Sequence, residues 1–345
     1  MSSMEQAQIL HNLRNHFLIT DGEFQGLLNQ IENEKYRNNF LRITAGLTVE
    51  DIYKSIFGSL PWVKSITGLH QQQEQRHKED YQIPDYSILI EDSQKEKFPI
   101  LVDVKSVKGK KVTCEIMVKQ LRTLKQYAIG YKSKLLIAIY WEDLGYWTHN
   151  CLSNFEGKKK NKISLESAIK NDLSHILSDY TYFMNKSFYR KTYFSENKVI
   201  DNGACHTKHG EMVKILIGQN LSSLKEYNII HSSIIDCMFN MKEIEVGTDD
   251  IGKFSIDVYE PKSIMLIKTS KWITNFLKIW GMDHLTRVGD DILVTELARV
   301  EIVEFMKAMS VKVSYQIPDN KNDETKEFFN LAYKDTTVMN DYLNS

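Results

Sequence analysis

Phe98-Pro-Ile-Leu-Val-Asp103-Val-Lys105 is an apolar run that ends in an acid and a base two residues apart. In an extended chain, alternate side chains share a face, so Asp103 and Lys105 point the same way. A second run, Tyr86-Ser-Ile-Leu-Ile-Glu91, lies just before it across the turn-like Asp92-Ser-Gln-Lys-Glu-Lys97, and Pro84-Asp85 opens it. If the two runs pair as an antiparallel hairpin, the start of one lies beside the end of the other, and Asp85 meets Asp103 at one sheet end. Downstream, Met117, Leu121, Leu124 and Ala128 recur at helical spacing, with Gly130 where a stop is expected. Lys134-Leu-Leu-Ile-Ala-Ile-Tyr-Trp141 then reads as a buried central strand. Upstream, a helix is expected to start after Thr48, with Asp51 in a capping-box position, and to stop at Pro61; Trp62 to Gly68 is strand-like. The order helix, three strands, helix, strand predicts an α/β fold with a mixed β-sheet flanked by helices.

The 345 residues are 42% hydrophobic and 26% charged, with 5 Pro and 16 Gly, which excludes a disordered or fibrous chain. No apolar run reaches the roughly 18 residues of a membrane span, and the N-terminus carries no basic segment followed by an apolar one. A cytoplasmic protein without a membrane partner is therefore expected. Cys114, Cys151, Cys205 and Cys237 are widely spaced and predict reduced thiols rather than disulfides or a zinc knuckle. Net charge is −1, but Lys95 to Lys134 holds eleven Lys or Arg against three acids, a local excess of +8. Lys108, Lys110, Lys111, Lys119 and Arg122 in that segment are candidates for contacting a polyanionic backbone.

An acid-x-Lys triplet alone says little: Glu156-Gly-Lys158, Glu196-Asn-Lys198, Glu260-Pro-Lys262 and Asp319-Asn-Lys321 also occur. Asp103-Val-Lys105 differs in ending a strongly apolar strand beside a second carboxylate. Carboxylates a few ångströms apart repel and are stable chiefly around a hard cation such as Mg²⁺. Such a cation can activate water and neutralise charge on a phosphate oxygen, and a neighbouring ammonium can stabilise the reacting phosphorus. The other reading is a surface hairpin with ordinary end-of-strand charges, and the residues leave both open.

Asp85 after Pro84, the Asp103-x-Lys105 triplet, and a helix carrying Gln120 before another buried strand resemble the PD-(D/E)xK nuclease superfamily. The likeness is to its restriction-endonuclease and Holliday-junction-resolvase branches. It implies a restriction-endonuclease-like core over about residues 47–148, hydrolysing DNA phosphodiester bonds with Mg²⁺, for which Mn²⁺ can substitute. It further implies Asp85 and Asp103 as metal ligands, Lys105 as the catalytic lysine, Glu50 (or, second, Asp51) as a further acid, and Gln120 as a site glutamine. Tyr127, seven residues after Gln120, departs from the tighter Gln-x-x-x-Tyr spacing of exonuclease-type members. The expected activity is therefore a Mg²⁺-dependent endonuclease of restriction, phage defence or recombination. The alternative is a non-catalytic nucleic-acid-binding or assembly protein on the same fold.

The domain map read from the sequence is a helical segment over 1–46, the nuclease-like core over 47–150 and a helical linker region over 151–192. A C-terminal α+β domain over 193–345, for recognition, a partner protein or homodimer assembly, completes it. Gly157-Lys-Lys-Lys-Asn-Lys162 reads as a linker leading into a helix from Ser164 to about Met184, and a last helix is expected over about 291–308. Three further features carry weaker readings. His206-Thr-Lys-His209 beside Cys205 could bind zinc or be loop histidines. The aromatics between Tyr180 and Phe194, interleaved with Lys186, Arg190 and Lys191, could stack on bases or form core. Tyr315-Gln-Ile-Pro-Asp319 repeats Tyr81 to Asp85 but lacks an apolar strand after it.

Overall fold

A computed structural model describes residues 20–29, 34–70, 79–91, 95–157, 159–195, 205–227 except Thr207, 235–262, 265–279 and parts of 299–314, with His77 and Ser232. The chain divides into two compact units, one running to Asp179 and one beginning at Tyr180.

The first unit opens with helices α1 (Asp21–Asn29) and α2 (Glu34–Gly58). Strands β1 (Val63–Gly68), β2 (Tyr86–Glu91), β3 (Lys97–Val107) and β4 (Thr113–Met117) follow. After them come α3 (Val118–Gly130), β5 (Lys134–Trp141), β6 (Tyr146–Cys151), β7 (Lys160–Ser164) and the short α4 (Leu165–Lys170). The main sheet runs β1-β2-β3-β5-β6. The β2–β3 pair is antiparallel, with Tyr86 opposite Val102, whereas β3 and β5 are parallel, with Asp103 opposite Ile137 and Val107 opposite Trp141. The expected helix, three strands, helix, strand order is present, with β4 added outside the main sheet.

Alternation along β3 serves two cores. Ile100 and Val102 are fully buried on the face of Tyr53 and Phe57 from α2, which pack on Trp147 of β6 at ring-centroid distances of 5.3 and 5.7 Å. Leu101 and Val107 lie on the opposite face, in one cluster with Leu124 and Ala128 of α3 and with Cys114, Ile116 and Ile163 of the β4–β7 pair. Each fully buried aliphatic side chain contributes about 1.5–3 kcal/mol, so the apolar runs read in the sequence are what hold the sheet.

Three sequence expectations are corrected here. No helix starts after Thr48: α2 runs through it from Glu34 to Gly58. A capping-box spacing marks a start only where the preceding residue leaves helical geometry, and nothing between Glu34 and Thr48 forces that. The Lys-rich stretch at 157–162 is no linker, because Lys160–Ser164 is β7, paired antiparallel with β4. Its charges are absorbed by Glu115, which accepts ion pairs from Lys160 (2.7 Å) and Lys162 (2.6 Å). Gly157 makes the entry tight: φ is +149°, and a Cβ there would stand 1.9 Å from the Lys160 carbonyl.

The helix expected from Ser164 to Met184 also stops early, at Lys170. Asp172 ends it by taking backbone donors from elsewhere: its Oδ1 accepts from His149 N–H (2.9 Å), Ser174 N–H (3.0 Å) and Ser174 Oγ (2.6 Å). The Ser174 hydroxyl also bonds His149 Nδ1 (2.6 Å), whose Nε2 meets Tyr53 Oη (3.0 Å), all within the buried core. The residues after α4 thus form a polar plug against β6 and α2.

The second unit begins with β8 (Thr181–Met184) and β9 (Phe188–Ser195), so the latter strand spans the boundary expected at 193. It continues with β10 (Cys205–His206), β11 (Gly210–Gly218), β12 (Lys225–Tyr227), β13 (Lys242–Thr248), β14 (Lys253–Tyr259), β15 (Met265–Lys268), α5 (Thr269–Ile279) and β16 (Lys312–Ser314). One sheet runs β10-β11-β9-β14-β13 with β12 on β11, and a smaller one runs β15-β8-β16. The aromatic run from Tyr180 to Phe194 is mainly core: Tyr182, Phe188, Tyr193 and Phe194 are buried. Phe188, Phe239, Trp272 and Phe305 meet edge-on around it. Arg190 is held by Asp236 and Asp257, and Lys191 by Asp249. The helix expected over 291–308 lies partly outside the described residues, of which 302–306 are helical; Tyr315 to Asp319 lies wholly outside them.

Candidate active site

Asp85 lies one residue before β2, and the register that sets Tyr86 against Val102 carries it to the level of Asp103. There its Oδ2 accepts the Val104 N–H at 2.6 Å. Asp103 is 1% exposed, and its Oδ2 makes an ion pair with Lys105 Nζ without any well-directed hydrogen bond. Lys105 Nζ also donates to the Val104 carbonyl at 3.1 Å. The period-2 geometry of β3 is what brings Asp103 and Lys105 together, since both stand on its α3-facing side. Glu50 arrives from α2, fixed to the same sheet end because the Tyr86 hydroxyl donates to the Glu50 carbonyl at 2.9 Å.

Burial and neighbouring charge set the protonation of Asp85, Glu50 and Lys105. Burial and then the Asp103 charge raise Asp85 from 3.8 to about 7, against the opposing pull of Lys105 and the Val104 N–H. Glu50 is raised well above the carboxylate range by burial first, then by Asp85, with Lys105 opposing and Asp103 and Asp51 adding. Burial works against the Lys105 ammonium, but Asp103 and Asp85 outweigh it and hold the group above the ordinary lysine value. The site is a carboxylate cluster that one ammonium only partly neutralises.

That raised Asp85 value sets a sign for stability. Between pH 3.8 and about 7 the folded chain keeps a proton that the unfolded chain has released. The folded state then binds more protons, so stability falls as pH rises through that window. Scanning calorimetry in EDTA is expected to show Tm declining from pH 5 to pH 8, and the decline to be shallower in Asp85→Asn, where the raised Glu50 still contributes. Equal slopes for the two proteins would mean that Asp85 is already ionised.

The donor set suits a hard cation. Mg²⁺ is commonly bound through one or two carboxylates and keeps several waters, and Asp85 with the inadequately bonded Asp103 Oδ2 offers that. Among the described residues no three His, Cys, Asp or Glu side chains are gathered as a ready cage. Glu50 acts on the pair electrostatically, through Asp85 first and then Lys105 and Asp103.

The remaining expected residues are distributed as follows. Gln120 lies in the first turn of α3, where its carbonyl and that of Lys119 accept the Thr123 hydroxyl, both at 3.0 Å. Lys119 is exposed and 3.6 Å from Glu79, and Arg122 is exposed on the same helix. Lys108, Lys110 and Lys111 occupy an exposed turn after β3, where Gly109 takes φ +64°. Together with Lys105 they line an open groove of about 670 Å³ that also touches Cys114 and Glu115.

Sequence reasoning read Cys114 as a reduced thiol but did not place it beside the site. It is 4% exposed, and burial pushes its thiol up to about 12, with Lys105 opposing and Asp103 and Glu115 adding. The thiol is inert packing beside the site, consistent with the buried reduced state of Cys114, Cys151 and Cys237. The alternation of Thr113 to Met117 was the available signal for the strand that carries it. His206 and His209 stack with centroids 4.8 Å apart and planes 18° from parallel, and His209 Nε2 meets Glu243 at 2.9 Å. Parallel imidazoles do not converge on one ion, so the zinc reading is set aside.

No family model matches the chain, and no curated protein matches it. A solved Holliday junction resolvase from the archaeal hyperthermophile Archaeoglobus fulgidus aligns with 39% of this chain and 94% of its own, at 12% identity and a TM-score of 0.29. At that score the likeness carries no argument. No helix among the described residues is long and apolar enough to cross a membrane.

Proposed function

We propose that the chain is a metal-dependent endonuclease of the PD-(D/E)xK type that hydrolyses DNA phosphodiester bonds. The observation that supports this reading is the meeting of Asp85, Asp103 and Lys105 at one end of the β2–β3 hairpin, with Glu50 tied in through Tyr86. End-of-strand charges on a surface hairpin would be exposed and independent of one another; here Asp103 is 1% exposed and Asp85 responds to its charge.

In this reading Asp85 and Asp103 hold Mg²⁺ or Mn²⁺, which when bound activates a water and neutralises charge on the phosphate. Asp85 must give up its proton to become a ligand, so metal affinity rises with pH up to about 7. Lys105, kept protonated by its acidic neighbours, faces the charge that builds on the phosphate oxygens during attack. Lys108, Lys110 and Lys111 hold the DNA backbone along the groove, while Lys119, Arg122 and Gln120 approach it from α3. The second unit takes the recognition or assembly role, for which a homodimer partner or another protein is the proposed occupant.

Incubating the protein with supercoiled plasmid separates this from a non-catalytic DNA-binding role. Nicked circles are expected with Mg²⁺ and none with EDTA. Salt-dependent binding without nicking in either Mg²⁺ or Mn²⁺ would leave the DNA-binding reading and remove the catalytic one.

A further inference from the structure

A pocket of about 210 Å³ adjoins the basic groove and shares Val107, Lys110, Lys111 and Val112 with it. Its walls are otherwise apolar, formed by Trp141, Leu144 and Leu165, with Asp143 exposed at the edge. Val107 and Trp141 are register partners at the end of the parallel β3–β5 pair and are 5% and 2% exposed. The walls are braced: Leu165 N–H donates to the Val112 carbonyl at 2.8 Å, and Gly145 at φ +56° closes the turn behind Leu144. The pocket therefore exists before any ligand arrives.

Size and charge narrow the occupant. Drug-sized ligands need about 300–1,000 Å³, whereas an apolar cavity of about 150 Å³ is enough for a benzene ring. The space thus suits one flat, mono- or bicyclic ring. Lys110 and Lys111 are among its lining residues and bring positive charge to this part of the surface, so the ring should be joined to an anion, which an apolar peptide side chain is not. The Asp143 carboxylate can only accept hydrogen bonds, which suits the amino and imino edges of a base. Val107 lies two residues along β3 from Lys105, about 6.6 Å away, a step of one nucleotide.

We propose that this pocket receives one unstacked nucleobase next to the phosphate at Lys105, so that the chain selects nucleic acid with an unpaired base beside the cutting site. The proposal rests on the nuclease reading above. A paired base cannot enter, because the pocket admits one ring system and its polar edges would still be held by the partner strand. Stacking of a base on an aromatic side chain is typically worth about tenfold or more in affinity.

The test compares three duplexes of one sequence in EDTA by fluorescence anisotropy: fully paired, with one bulged adenine, and with an abasic site in place of that adenine. The intact chain is expected to bind the bulged adenine about tenfold more tightly than the other two. Leu144→Trp, which fills the pocket from its exposed wall, is expected to bring the three affinities together. Wild-type protein that binds all three equally would overturn the pocket and leave the nuclease reading standing. So would a preference that survives in Leu144→Trp, or one shared by the abasic duplex, which bends similarly but offers no base. No binding to any of them, either in EDTA or with Ca²⁺ in place of Mg²⁺, would overturn the nuclease reading itself.

Discussion

Lys105→Ala is expected to bind DNA almost normally and to cut it about 10²–10³-fold more slowly at saturating substrate. The two effects separate because Lys105 is one of eleven basic residues between Lys95 and Lys134, so its share of phosphate attraction is small. Losing one phosphate contact changes the log–log salt slope by about 0.9. Its position, however, is singular: the ammonium is largely buried between Asp103, Asp85 and the Val104 carbonyl, and cannot be replaced by a mobile surface lysine. Lys108→Ala and Lys110→Ala should behave the other way, with weaker binding and full rate at saturation. Single-turnover cleavage beside affinity for the three variants decides the matter. A Lys105→Ala protein that loses affinity and recovers full rate would reduce Lys105 to a surface contact.

Asp103→Asn should lower the single-turnover rate by at least about 10²-fold and remove most of the thermal protection conferred by Mg²⁺. The amide keeps the shape of the carboxyl but brings donors toward an ammonium that has none to accept them. It also removes the charge that, after burial, does most to raise Asp85, so Asp85 should ionise at lower pH and the Tm decline between pH 5 and pH 8 should flatten. The fold should survive, because Asp85 and Glu50 still face Lys105. Near-wild-type cutting by a folded Asp103→Asn protein would dismiss Asp103 from the site.

The parts of the fold that could be read in advance are those built from apolar runs. Strands β2, β3 and β5 and helix α3 owe their existence to side chains that are buried wherever the strands pair, so pattern alone finds them. β4 offered only the short alternation of Thr113 to Met117, and β7 was not legible, because it exposes charge to water and becomes a strand only through β4. Lys160 and Lys162 look like linker residues until Glu115 lies opposite them. The early stop of α4 has a similar origin: Asp172 takes one of its backbone donors from His149 of β6, a partner distant in sequence. At the candidate site, the hairpin register explains why the grouping of Asp85 with Asp103 and Lys105 could be anticipated. The apolar pocket could not, since it arises from the ends of three segments that share no sequence pattern.

The placement of β3 between an antiparallel and a parallel neighbour fixes how its two ends respond to fluctuation. Residues 100–102 pair on both edges, and Asp103 and Lys105 continue the ladder to β5 while Asp85 covers the Val104 amide. Amides in such a position exchange with solvent only when the sheet as a whole opens, whereas the Lys108–Lys111 turn lies beyond the ladder and can open by itself. The carboxylates and ammonium therefore keep their spacing through motions that rearrange the lysines a few residues away. In the proposed nuclease, grip on a polyanion would loosen, tighten or change register on the timescale of a loop, while the carboxylates and ammonium would be reset only on the timescale of unfolding.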